Sequence, residues 1–67
     1  MIEITVNGEA LSVKPDLDIP GLLQQLGLAE KRVAVELNRE IIPRSQHSET
    51  ALSQGDAVEI VHAIGGG

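Results

Sequence analysis

An α+β fold, with one helix packed across one face of a single mixed sheet of four to five strands, is predicted by three features of this sequence. Apolar and polar residues alternate with period 2 at residues 2–6, 33–37 and 57–62, which marks strands. Only residues 19–26 change to a helical period. The whole order of strand, strand, helix, strand, short strand and strand fits within 67 residues, room for one domain in which a lone helix can bury its apolar stripe only against the sheet.

The elements follow in chain order. Ile2, Ile4 and Val6 share one face and Glu3 and Thr5 the other, as in a half-buried strand. Asn7-Gly8 readily adopts the positive φ angles of a tight type I′ turn, and Leu11 and Val13 resume the alternation, so the chain opens with a β-hairpin. Pro15 and Asp16 break the second strand. Ile19, Leu22, Leu23 and Leu26 lie at i, i+3, i+4 and i+7 on one helical face. Asp18 is the N-cap, its carboxylate accepting from the Gly21 N–H, and Pro20 at N2 loses no intrahelical bond. Gly27 ends the helix in a left-handed position, with Leu28 folding back on the last turn. Gly21 is unfavourable by up to about 1 kcal/mol relative to alanine, and close packing is the only reason the sequence offers for it.

Val33, Val35 and Leu37 point inward on the next strand, with Ala34 and Glu36 on the other face. Asn38-Arg39 forms a turn, and Glu40-Ile41-Ile42 a short return strand stopped by Pro43. Residues 45–48 read as polar loop, and Thr50-Ala51-Leu52 as a single helical turn that points Leu52 into the core. After a turn at Gln54-Gly55-Asp56, residues 57–62 form the last strand, Val58 and Ile60 facing one way and Val61 the other. The natural form of this arrangement is the ubiquitin-like β-grasp, whose first and last strands lie parallel in the middle of the sheet. A domain over residues 1–64 would then carry a flexible glycine tail, residues 65–67, at the end of a central strand.

That tail is the strongest functional signal. Gly65-Gly66-Gly67 cannot be there to stabilise a fold, because glycine loses much entropy on ordering and has no side chain to pack. Bare backbone can instead thread a channel too narrow for side chains and present the Gly67 carboxylate, ionised at neutral pH, to a nucleotide α-phosphate. The alternative is an inert, frayed end.

Composition narrows the classes further. Ten acidic and five basic residues give a formal charge of −5, which repels nucleic acid and suits basic partners. Aromatic residues are absent, so bases have nothing to stack on and the core must be Leu, Ile, Val and Ala. Cysteine is absent too, which removes disulfides, a thiolate nucleophile and Cys-based metal sites. No apolar run approaches the roughly 20 residues of a membrane span, and no secretion-signal pattern opens the chain. A cytoplasmic protein, monomeric when free, is the expectation.

The segments Lys31-Arg32-Val33-Ala34-Val35-Glu36-Leu37-Asn38, Ile41-Ile42-Pro43-Arg44-Ser45 and Leu52-Ser53-Gln54-Gly55-Asp56-Ala57-Val58-Glu59-Ile60-Val61, with the glycine end, resemble the sulfur carriers of thiamine biosynthesis along the whole chain. The sequence departs from that pattern in a third glycine before the Gly66-Gly67 pair and in Arg39, which stands where glycine is frequent and would loosen that turn. The resemblance implies a carrier rather than an enzyme, with no cofactor bound by this chain. An adenylyltransferase using ATP and magnesium would activate Gly67, and sulfur drawn from cysteine by a desulfurase system would convert it to a thiocarboxylate. A thiazole synthase would then take the sulfur for the thiazole ring. This chain holds neither a P-loop nor a cysteine nucleophile, so catalysis must come in trans.

Other residues are weighed beside that reading. His47 reads as a surface histidine in a loop, and neither it nor His62 has a partner at metal-ligand spacing. Ser45 and Ser48 near His47 lack an orienting third group, so polar loop is preferred to a nucleophile and base. Val61 and one of Ile41 or Ile42 should be exposed on the face away from the helix, beside the tail. Candidate partner contacts are therefore Val61, His62, Ile64, Ile42 and Arg44, with Gly65 and Gly66 threading into the partner. Arg32, Arg39 and Arg44 pair with partner carboxylates or simply solvate the surface. Two other functions fit the fold: a sulfur donor for molybdopterin synthesis or a ubiquitin-like protein modifier, and a plain binding module with an inert tail. The Ile42-Pro43-Arg44-Ser45 stretch and the chain length separate the first of these from the thiamine carrier.

Overall fold

The computed structural model describes residues 1–62. The expected domain boundary at residue 64, Ile64 itself and the glycine tail lie outside the described residues.

Strands β1 (Ile2–Val6) and β2 (Glu9–Val13) form the opening hairpin, with Ile4 opposite Leu11 and Val6 opposite Glu9. Its turn takes φ 50° at Asn7 and 85° at Gly8, the doubly positive geometry of a type I′ turn. Helix α1 (Ile19–Gln25) follows. Its start is as the sequence predicts: the Gly21 N–H donates to Asp18 Oδ1 at 2.8 Å. Its end is a Schellman motif, in which Leu28 N donates to Leu23 O at 2.7 Å and Gly27 N to Gln24 O at 3.1 Å around a Gly27 φ of 76°. Close packing accounts for Gly21, since a Cβ there would lie 2.6 Å from Leu17 Cδ1 and 3.0 Å from Asp18 Oδ1.

Strands β3 (Val33–Leu37), β4 (Glu40–Ile42) and β5 (Ala57–His62) complete a five-stranded sheet of order β2-β1-β5-β3-β4. β5 therefore occupies the middle, parallel to β1 and antiparallel to β3. One face of this sheet carries Ile4, Val13, Val35, Val58 and Ile60, and with Ile19, Leu22 and Leu23 of α1 and Leu52 from the last connection they make up the buried core. The architecture is the predicted α+β sheet-and-helix, with five strands.

Three expectations are corrected. Residues 45–48 are not loop: Arg44–Glu49 form a 3-10 helix, and His47 is buried within it, 8% exposed, rather than on the surface. Pro43, with φ fixed near −59°, precedes the first helical position and starts this turn. Thr50-Ala51-Leu52 is extended rather than helical, because Ala51 forms an antiparallel bridge with Asp18 and Leu52 N donates to Leu17 O at 2.8 Å. Leu52 reaches the core as expected, by a strand-like route. Finally, Arg39 does not loosen its turn. Asn38 and Arg39 take φ 51° and 71°, and Leu37 pairs directly with Glu40 across a two-residue connection.

Candidate functional site

The site to account for is the end of β5, from which the chain continues toward Gly67. β5 is held on both sides, by β3 from Leu37↔Val58 to Val33↔His62, and by β1 only at Thr5↔Ala57 and Val6↔Val58. Beyond Val6 the hairpin turns away, and β5 would lose its partner there. The Asn7 side chain fills the gap. Its Oδ1 accepts from Ile60 N at 2.8 Å and its Nδ2 donates to Ile60 O at 3.3 Å, so one amide side chain stands in for the next peptide of β1. Asn38 does the same at the other end of the strand, its Oδ1 accepting from Ala57 N at 2.9 Å while its Nδ2 donates to Asp56 Oδ1 at 3.0 Å. Sequence reasoning read both asparagines only as turn formers. Their left-handed backbone was legible, but their partners lie 53 and 19 residues away and no local signal names them.

Around this strand the candidate contacts separate. Val61, 54% exposed, lies on the face away from the helix, opposite Ala34. Of the isoleucine pair it is Ile41, 70% exposed, that shares this face, opposite Glu36. Ile42, named as a candidate partner contact, pairs with buried Val35 and is half-buried on the helix side, which decides between the two isoleucines that the sequence left open. His62 is exposed and lines a groove of about 350 Å³ whose apolar walls include Leu11, Leu26 and Leu28. β4 and β5 are both antiparallel to β3, so β4 ends at the same end of the sheet as β5, but Arg44 already belongs to the 3-10 helix and lines a cleft with Pro20 and Leu23 of α1. Ile64, Gly65, Gly66 and Gly67 lie outside the described residues.

His47 is committed elsewhere. Its Nε2 lies 3.0 Å from Ile42 O, and since a carbonyl only accepts, Nε2 carries the proton and donates it. A ring buried and bonded in this way is a tie between the 3-10 helix and β4, not a base for Ser45 or Ser48. Among the described residues no group of three His, Cys, Asp or Glu side chains could hold a metal ion, and no helix is long and apolar enough to cross a membrane. What the arrangement offers is mechanical: a strand fixed in the middle of a sheet, leading into a glycine end.

Comparison with known proteins agrees. A Bacillus subtilis sulfur carrier protein ThiS is 40% identical over 65 residues, covering 96% of this chain and 98% of its own. The crystal structure of a thiamine biosynthesis protein (ThiS) from Geobacter metallireducens superposes with a TM-score of 0.86 at 38% identity, covering 98% of this chain and all of that one. A thiazole synthase of Paramagnetospirillum magneticum is 39% identical over 66 residues, and this chain spans only 20% of the length of the thiazole synthases it matches. With the ThiS family model matching residues 2–67 and a sheet that superposes on a ThiS crystal structure, this chain belongs to the ThiS family.

Proposed function

We propose that this chain is a ThiS-type sulfur carrier of thiamine biosynthesis that holds its sulfur as a thiocarboxylate on Gly67. The observation that carries the reading is the joining of a centrally fixed β5 to Ala63-Ile64-Gly65-Gly66-Gly67 in a chain of the ThiS family. The Gly67 carboxylate attacks the α-phosphorus of ATP, pyrophosphate leaves, and an acyl-adenylate forms. A persulfide raised from cysteine by a desulfurase system then displaces AMP from the adenylate, and a second thiol cleaves the S–S bond of the resulting acyl disulfide, leaving the thiocarboxylate and a disulfide on the sulfur-donating side. Both steps need an external enzyme, an adenylyltransferase with magnesium, since the chain itself has no cysteine and no P-loop. The sulfur is discharged to a thiazole synthase, a partner supported by the proteins of that name in which a segment like this one makes up a fifth of the length. Working with soluble enzymes of this kind, the carrier belongs in the cytoplasm.

Intact mass tests the reading. Protein ending at Gly67, recovered after incubation with ATP, a sulfur source and its adenylating enzyme, should show the increase from exchanging one oxygen for sulfur, and a form lacking Gly66 and Gly67 should not. A full-length chain that stays at its unmodified mass under those conditions rules out the thiocarboxylate.

A further inference from the structure

We propose that Asn7 is a positioning residue for the reaction at Gly67: its side-chain amide fixes the direction in which β5 leaves the sheet, and so aims the glycine end at the centre that activates it. The inference rests on the reading above that Gly67 is adenylated, and adds which residue of the folded body directs it there.

The two edges of β5 are held unequally. On the β3 edge pairing runs from Val58 to His62. On the β1 edge it stops at Val58, whose carbonyl accepts from Asn7 N at 2.8 Å. Past that point the hairpin turn carries the chain away, and among the described residues the Asn7 side chain is what holds this edge, its Oδ1 accepting from Ile60 N and its Nδ2 donating to Ile60 O. A strand paired on both edges is fixed in direction, whereas one paired on a single edge can pivot about the ladder that remains. Gly67 follows Ile60 by seven residues, up to roughly 23 Å of extended chain. A pivot of about 20°, the size of one strand-to-strand twist, swings such a reach by roughly 8 Å. Attack on a phosphorus atom tolerates far less, since a misplacement of about 1 Å can cost about a hundredfold in rate. Residues 65–67 bring no side chains for a partner to grip, so the aim has to come from the body.

Asn38 supplies a matched comparison. It too has a left-handed φ, donates its own N–H to β5, at Ala57 O, and offers its amide oxygen to the same strand, at Ala57 N. It does so at the start of β5, the end remote from the glycines. Loss of either amide weakens the hold on β5, but only loss of Asn7 frees the end that leads to Gly67.

The test uses the full chain ending at Gly67 and its adenylating enzyme, and follows pyrophosphate release from ATP as a function of carrier concentration. Wild type, Asn7→Gly, Asn38→Gly and Asn7→Asp are compared at a temperature where circular dichroism shows each one folded. Glycine accepts the φ of 50° at residue 7 and of 51° at residue 38, so both turns persist and only the amides are lost. Asn7→Gly should lower kcat about five- to tenfold with KM within about twofold of wild type, since the body still docks but fewer complexes hold the tail on target. Asn38→Gly should stay within about twofold of wild type in both constants. Asn7→Asp keeps the acceptor for Ile60 N and loses the donor, so its kcat should fall between those of wild type and Asn7→Gly. If Asn7→Gly does not fold, Asn7→Asp carries the test alone, by a drop in kcat of about two- to fivefold. Equal losses in Asn7→Gly and Asn38→Gly, or a kcat unchanged by removing the Asn7 amide, overturn the positioning role while adenylation of Gly67 stands. A raised KM with unchanged kcat makes Asn7 a docking contact and overturns it as well. If the wild type releases no pyrophosphate, adenylation itself falls and this inference with it.

Discussion

Two hairpin turns in this protein have almost the same backbone and different residues, which isolates what each side chain contributes. Asn7-Gly8 and Asn38-Arg39 both carry two positive φ angles, yet only the first has glycine in the second position. An L-residue in the left-handed region brings Cβ close to the following carbonyl, so Arg39 sits at a conformational cost of about 1 kcal/mol. Arg39→Gly should therefore raise stability by roughly 0.5–1 kcal/mol, less the extra chain entropy glycine adds to the unfolded state, as read by urea denaturation. Asn7→Gly should do the opposite. Glycine keeps the φ of 50° but removes the amide that closes both polar groups of Ile60, and the expected loss is about 1–3 kcal/mol. A turn-only role for Asn7 predicts no loss, so the sign of the pair of changes decides between the two.

Among the elements, α1 and the 3-10 helix show how unequal the local signals are. α1 runs only from Ile19 to Gln25, too short to persist alone, and is held by caps at both ends and by Ile19, Leu22 and Leu23 in the core. Cap residues, stripe and glycine stop were all written locally, and each is found where expected. The 3-10 helix had no such pattern. Gln46, Ser48 and Glu49 are polar and exposed, and the residue that anchors the element, His47, is one whose usual place is partly exposed. Its burial follows from the meeting of three elements: the ring lies with Pro20 and Leu23 of α1 and bonds to Ile42 at the end of β4. His47→Ala should thus cost about 2 kcal/mol, by losing both packing and the bond to Ile42 O, and lower the thermal midpoint by about 10 °C or more for a domain this small. A change of under about 2 °C would mean the ring contributes no more than a surface side chain.

At the scale of the whole molecule, the buried core runs from Ile4 to Ile60 and the proposed chemistry lies at Gly67. Folding and function are therefore separable along the chain. Removing Gly66 and Gly67 should leave circular dichroism and unfolding free energy within about 0.5 kcal/mol of wild type while abolishing complementation of a thiamine requirement. Core changes should do the reverse. For 67 residues the total stability is expected to be about 3–10 kcal/mol, so Leu22→Ala, at about 3 kcal/mol or more, would remove much of it and lower function only through loss of folded protein.

The sequence by itself determined the strands, the helix with its caps, the tight Asn7-Gly8 hairpin, the apolar core without aromatics and the candidate carrying residue. Each of these rests on the period of apolar residues or on neighbours within a few positions, which a linear chain states directly. Tertiary structure decided the rest: that Ile41 rather than Ile42 is exposed, that His47 is buried, that residues 50–52 are extended, and that Asn7 and Asn38 clamp β5. A three-residue strand such as β4 carries too few alternations to fix its own face, and its register comes from pairing with β3. Buried polar groups are likewise decided by distance in space, because the backbone atoms they must satisfy belong to segments the local sequence does not name.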